Sequence, residues 1–131
     1  MTPAQRSTER LLSWSDLTAC PAGCGTGRAL RTARDEVVHF HSARDADLHL
    51  TRRAIQRFHY YLGRSSAIQL VPRSCWVTAR LDCATDVDLL LSLVSVALKA
   101  HRNRPPSAPP APAGCNFHRV TALSRDAVAD R

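Results

Sequence analysis

Three histidines, His39, His41 and His49, fall in one short stretch of the chain together with Asp47. Imidazole is the side chain that gains and loses a proton near neutral pH, so such a grouping can move protons or bind a metal. Whether the rings meet depends on backbone geometry. Glu36-Val37-Val38-His39-Phe40-His41 and Asp47-Leu48-His49-Leu50 alternate apolar and polar residues, as the two strands of a hairpin do. Val38 and Phe40 must share a face with Leu48 and Leu50, because a one-residue slip would turn one set to solvent. The simplest turn is Ala43-Arg44-Asp45, which sets Phe40 opposite Leu48, Val38 opposite Leu50, His39 opposite His49 and His41 opposite Asp47.

Alternation in a later strand, Trp76-Val77-Thr78-Ala79-Arg80-Leu81, sends Trp76, Thr78 and Arg80 to the same open side. An aromatic plate, a guanidinium and several imidazoles can hold and polarise an aromatic or anionic small molecule. His39, His41 and His49 are then the candidate catalytic groups, and Trp76, Arg80, Asp47 and Thr78 the candidate substrate contacts. Two other readings stay open. The ligand types also fit zinc or non-haem iron, with His39 and His41 alternating as strand ligands should, although no metal is assigned. A polar strand face can also simply meet water. On the ligand-binding reading, replacing His39 and His49 by alanine is expected to abolish binding while leaving stability nearly intact.

The elements that must position these residues follow a simple order. Thr51 caps a helix reaching to about Leu62, with Ile55, Phe58 and Leu62 at helical spacing and Gly63 ending it. Ala67 to Val71 and Trp76 to Leu81 form a second strand pair around Pro72-Arg73-Ser74. Thr85 opens a longer helix to about His101, whose broad apolar face includes Val87, Leu90, Val94 and Leu98. The expected fold is α+β, in the order ββαββα: a four-stranded, mainly antiparallel sheet with two helices on one face. Residues 27–102 make up this domain. Residues 1–26 are an extension with a short helix, Ser7 to Leu17, and 103–131 a Pro/Ala-rich tail; both are expected to be flexible.

Composition bounds the partners. The chain has 131 residues and a formal charge of +7, yet Lys99 is its sole lysine and its arginines are spread along the sequence among acidic residues. A nucleic-acid surface would concentrate them with aromatics, so no nucleic-acid partner is expected. No apolar run reaches the roughly 18 residues of a membrane span, and no secretory signal is recognisable, so a cytoplasmic protein without a membrane partner is expected. Five cysteines without an export signal argue for reduced thiols. Cys20 and Cys24, in Cys-Pro-Ala-Gly-Cys, are one residue further apart than a redox pair and lack a second cysteine pair for a zinc ribbon. Oligomeric state is not legible.

The runs Asp35-Glu36-Val37-Val38-His39-Phe40-His41-Ser42, Asp47-Leu48-His49-Leu50-Thr51 and Trp76-Val77-Thr78, with Asp86-Val87 ahead of the long helix, resemble the luciferase-domain family. The resemblance covers about Arg28 to His101. It implies similarity to the C-terminal part of fungal luciferases, which oxidise a hydroxylated hispidin-type pyrone with molecular oxygen and no metal or organic cofactor; short bacterial members are numerous. It carries His39, His41, His49 and Trp76 over as site positions, with a small aromatic substrate as partner and molecular oxygen as co-substrate. The fungal proteins also carry a membrane segment and a Gly-rich, His-containing stretch that this chain lacks. A protein-interaction module is the rival reading.

Overall fold

The computed structural model describes residues 1–105 and 115–117. Its elements run α1 Pro3–Leu12, β1 Thr18–Pro21, β2 Arg28–Arg31, β3 Glu36–Ser42, β4 Asp45–His49, α2 Arg52–Arg57, α3 His59–Arg64, β5 Ile68–Leu70, β6 Trp76–Arg80 and α4 Ala84–Arg102. All strands join one sheet in the order β1-β2-β3-β4-β6-β5, each pair antiparallel. The α+β class stands, but among the described residues the sheet has six strands where four were expected, and there are four helices where three were, one in the extension and two in the domain. The additions have a local reason. Thr18–Pro21 and Arg28–Arg31 lack clean apolar alternation, and β1 tolerates Pro21 because an edge strand can spare a ladder N–H.

Helix α4 carries the core. Asp86 accepts from the backbone N–H groups of Asp82 and Cys83, closing the capping box at its start. Cys83 is the N-cap residue, not Thr85. Val87, Leu90, Leu91, Val94, Ala97 and Leu98 are buried along one stripe, packed over the aliphatic row Leu30–Val38–Leu48–Val77 that crosses four strands. Helix α1, from Pro3 rather than Ser7, packs on α4 through Ala4 and Leu11, and the expected Thr51–Leu62 helix is broken at Phe58 into α2 and α3.

The hairpin register differs from the expected one. Val38 pairs with Leu48 and His39 with Asp47, after which β3 bulges so that Ser42 pairs with Asp45 across an Ala43-Arg44 turn. Two-residue periodicity fixes alignment only to within an even number of residues. A bulge absorbs the odd residue, and the hydrogen bond from Ser42 Oγ to Asp45 Oδ2 closes the tighter turn. His39 therefore faces Asp47 and not His49, and His41 does not stand opposite Asp47 in the ladder.

Candidate functional site

In the row behind the aliphatic one, Ala29 is followed by four polar residues: Ala29, His39, Asp47, Thr78 and Gln69 pair successively across β2, β3, β4, β6 and β5. His41 lies on the same side, its ring edge-on to His39 at 5.7 Å. His49 pairs with Trp76, whose ring stands 4.6 Å from His39 and 5.0 Å from His49. The three imidazoles thus share the face away from the aliphatic core, with the indole between His39 and His49. This face is not open, as the hairpin alone had implied. His39 is 0% exposed, Asp47 and Trp76 2% and His49 4%.

Two segments close it. The first is the β1–β2 turn carrying Cys24. Gly27 sits at φ +85°, and a Cβ there would lie 2.1 Å from the Phe40 carbonyl oxygen, so only glycine lets the turn press on β3. Glu36 accepts from the Gly23 N–H at 2.7 Å and clamps the same turn. The second is Cys115–Phe117. Asn116, fully buried, donates from Nδ2 to the Trp76 carbonyl at 2.8 Å and to Thr78 Oγ1, and accepts from Ser74 Oγ. Cys115 and Phe117 are thereby held against His41. The rest of the expected tail, 106–114 and 118–131, lies outside the described residues.

Enclosure sets the electrostatics. Burial lowers the pKa of His39 although Glu36 opposes the shift, so the ring stays neutral. Neither of its nitrogens has a hydrogen bond among the described residues; Glu36 Oε1 is 3.3 Å from Nε2 but not aligned for one. Asp47 accepts from Thr78 Oγ1 at 2.7 Å through Oδ1, while Oδ2 has no hydrogen bond among the described residues and lies 3.9 Å from His41 Nδ1. Burial also pushes the Cys115 thiol up to about 12.

His49 takes part in a separate chain. Its Nδ1 is 2.7 Å from His101 Nε2, which is also 3.0 Å from the His49 carbonyl, and His101 Nδ1 is 3.2 Å from Asp35 Oδ2. Arg104 donates to that same oxygen at 2.8 Å. The His49 carbonyl oxygen can only accept, so His101 Nε2 carries the proton of that contact and presents it to His49 Nδ1 as well; a neutral His49 then carries its own proton on Nε2. Burial, reinforced by His101 and Arg104, lowers the His49 pKa to about 4.

His49 lines a cavity of about 690 Å³ together with Thr51, Arg53, Arg57, Phe58 and Lys99. Among the described residues every fully charged side chain on its wall is cationic, Arg104 being the fourth. Thr51, at the same wall, is held at φ +80°, a costly conformation for a β-branched residue. It is over-determined there by its N–H, which shares the Cys75 carbonyl with that of Leu50, and by its side chain, which caps α2.

Of the residues singled out from the sequence, His39, His41, Asp47, Thr78 and Trp76 come together on the enclosed face, and His49 stands across Trp76 from them. Arg80 does not join them. Its side chain is 75% exposed and pairs with Asp82 at 3.4 Å, because β6 ends there at the sheet's far rim. Sequence reasoning missed Asp35, His101, Cys24, Cys115 and Asn116 as site residues. One signal was available: Cys115-Asn116-Phe117 follows a Pro/Ala-rich stretch that has little of its own to bury.

An antiparallel sheet with helices over one face and a His- and Cys-rich layer sealed beneath the other defines an α+β domain with an enclosed polar site. The family model of the luciferase domain matches residues 34–97, which supports assigning that segment to the luciferase-domain family. The match covers β3 through most of α4, the elements that hold His39, His41, His49 and Trp76. No curated protein and no solved structure matched the chain. No helix among the described residues is long and apolar enough to cross a membrane.

Proposed function

We propose that the domain binds a small aromatic or polyketide-like molecule as its oxyanion in the cavity at His49. The observation that carries this reading is a neutral, buried imidazole on the wall of a cavity whose charged lining is wholly cationic. His49 donates from Nε2 to the anionic oxygen, Arg53, Arg57 and Lys99 hold the negative charge, and Phe58 covers the ring. These cations take the part that the sequence alone gave to Arg80. His39 and His41, beyond Trp76, do not touch the ligand. An enolate or phenolate of this kind is electron-rich enough to react with molecular oxygen, so oxygenation without an organic cofactor is the proposed reaction.

The test compares a hydroxylated pyrone with its O-methyl ether by calorimetry and thermal shift. The ionisable pyrone should raise the melting temperature, as any ligand preferring the native state does. The ether, which cannot ionise, should bind at least about tenfold more weakly, a loss of about 1.4 kcal/mol. Arg57→Gln combined with Lys99→Gln should abolish the difference. A flat response from the wild type would sink the proposal, and a dimer on sizing would then favour an interaction module.

A further inference from the structure

The enclosed face holds a second constellation that the cavity reading does not use. Cys24, His39, His41 and Cys115 each present one ligand atom, and these four atoms all lie within 4.8 Å of one another. Cys24 Sγ is 3.3 Å and Cys115 Sγ 3.4 Å from His41 Nε2. A tetrahedral zinc site with bonds of about 2.0–2.3 Å has ligand-to-ligand edges of roughly 3.3–3.8 Å. Two edges of that tetrahedron are therefore already in place.

We propose that these four residues form a structural zinc(II) site. An independent observation points to an ion. His39 is 0% exposed, yet neither ring nitrogen has a hydrogen bond among the described residues. Leaving the nitrogens of a buried imidazole without hydrogen bonds is destabilising, and metal ligation removes that cost. The surroundings have the character of an outer shell. Asp47 Oδ2, buried and without a hydrogen bond, lies behind His41 Nδ1 at 3.9 Å while His41 Nε2 faces both sulfurs. Glu36 Oε1 stands 3.3 Å from His39 Nε2. Carboxylates so placed orient metal-binding imidazoles and raise their basicity.

The donor set selects the metal. Two thiolates and two imidazoles in a closed four-coordinate cage suit zinc, and they leave no position for water or substrate. The ion's role is therefore to fasten separate segments of the chain together. It would tie the β1–β2 turn and the segment around Cys115 to β3, positions remote in sequence. On binding, each thiol gives its proton to solvent and each imidazole enters neutral, so no oxidant or reductant is involved.

The full chain, purified under reducing conditions without a histidine tag, should contain about one equivalent of zinc. Cobalt(II) replacing it should show strong tetrahedral visible bands and thiolate-to-cobalt charge transfer. Cys24→Ser and Cys115→Ser should each remove the charge-transfer intensity of one thiolate, while Cys20→Ser and Cys75→Ser leave the spectrum unchanged. Asp47→Asn should weaken zinc affinity by about 10–100-fold. A metal-free wild type that takes up no cobalt, or a cobalt spectrum indifferent to Cys24→Ser and Cys115→Ser, would overturn the proposal. These spectra do not involve the pyrone, so zinc binding and the cavity reading fail or stand separately.

Discussion

His49 Nδ1 and His101 Nε2 lie 2.7 Å apart, joining the last residue of β4 to the final turn of α4. Both rings are buried, and Asp35 completes the chain from the far side of His101. The connection gives stability a dependence on pH. The His49 pKa falls from 6.5 to about 4 on folding, so between those values the unfolded chain binds a proton that the folded one refuses. Stability due to His49 is complete above pH 6.5 and is lost as pH falls toward 4. Urea midpoints measured at intervals across this window should decline with a His49 contribution of at most about 1.4 kcal/mol per pH unit. His49→Gln should flatten the decline; an unchanged slope would refute the assignment.

Asp35 is 4% exposed and faces both His101 and Arg104. Asp35→Ala leaves these two groups without their carboxylate and should cost about 3–5 kcal/mol, read from denaturant unfolding. Asp35→Asn keeps an acceptor oxygen and should cost less. Equal losses for the two variants would mean that charge carries the whole effect.

Gly27→Ala meets a positive φ and the Phe40 carbonyl oxygen at once. The conformation alone costs about 1–2 kcal/mol, and the overlap requires the turn to lift. Beyond the fall in melting temperature, Cys24 should become more reactive toward a thiol reagent. Gly25→Ala, at a similar φ but with open space around its Cβ, should cost the conformational part only.

Arg80→Ala should change neither ligand binding nor stability by more than about 0.5 kcal/mol, since its side chain is exposed. Asn116→Ala removes the hydrogen bonds to Trp76, Thr78 and Ser74 and should cost about 1–3 kcal/mol. Limited proteolysis should then cut near Cys115 in the variant and spare the wild type. The expectation that His39 and His49 can become alanine without loss of stability is withdrawn, because both are buried.

The residues alone determined whatever depends on local periodicity. Alternation in Val37–Phe40 and Leu48–Leu50 put three imidazoles on one side of the sheet, and the 3.6-residue spacing of Val87, Leu90, Leu91, Val94 and Leu98 marked the central helix, because both signals reside in consecutive residues. The tertiary structure decided the rest. Alternation fixes register only up to a shift of two residues, so His39 met Asp47 instead of His49. Strands β1, at the sheet edge, and β2, beside it, carry too little pattern to announce themselves. Above all, Cys24 meets Cys115, and His49 meets His101, only because the sheet and α4 bring distant segments together, and no local rule encodes which remote residues a buried polar face will find.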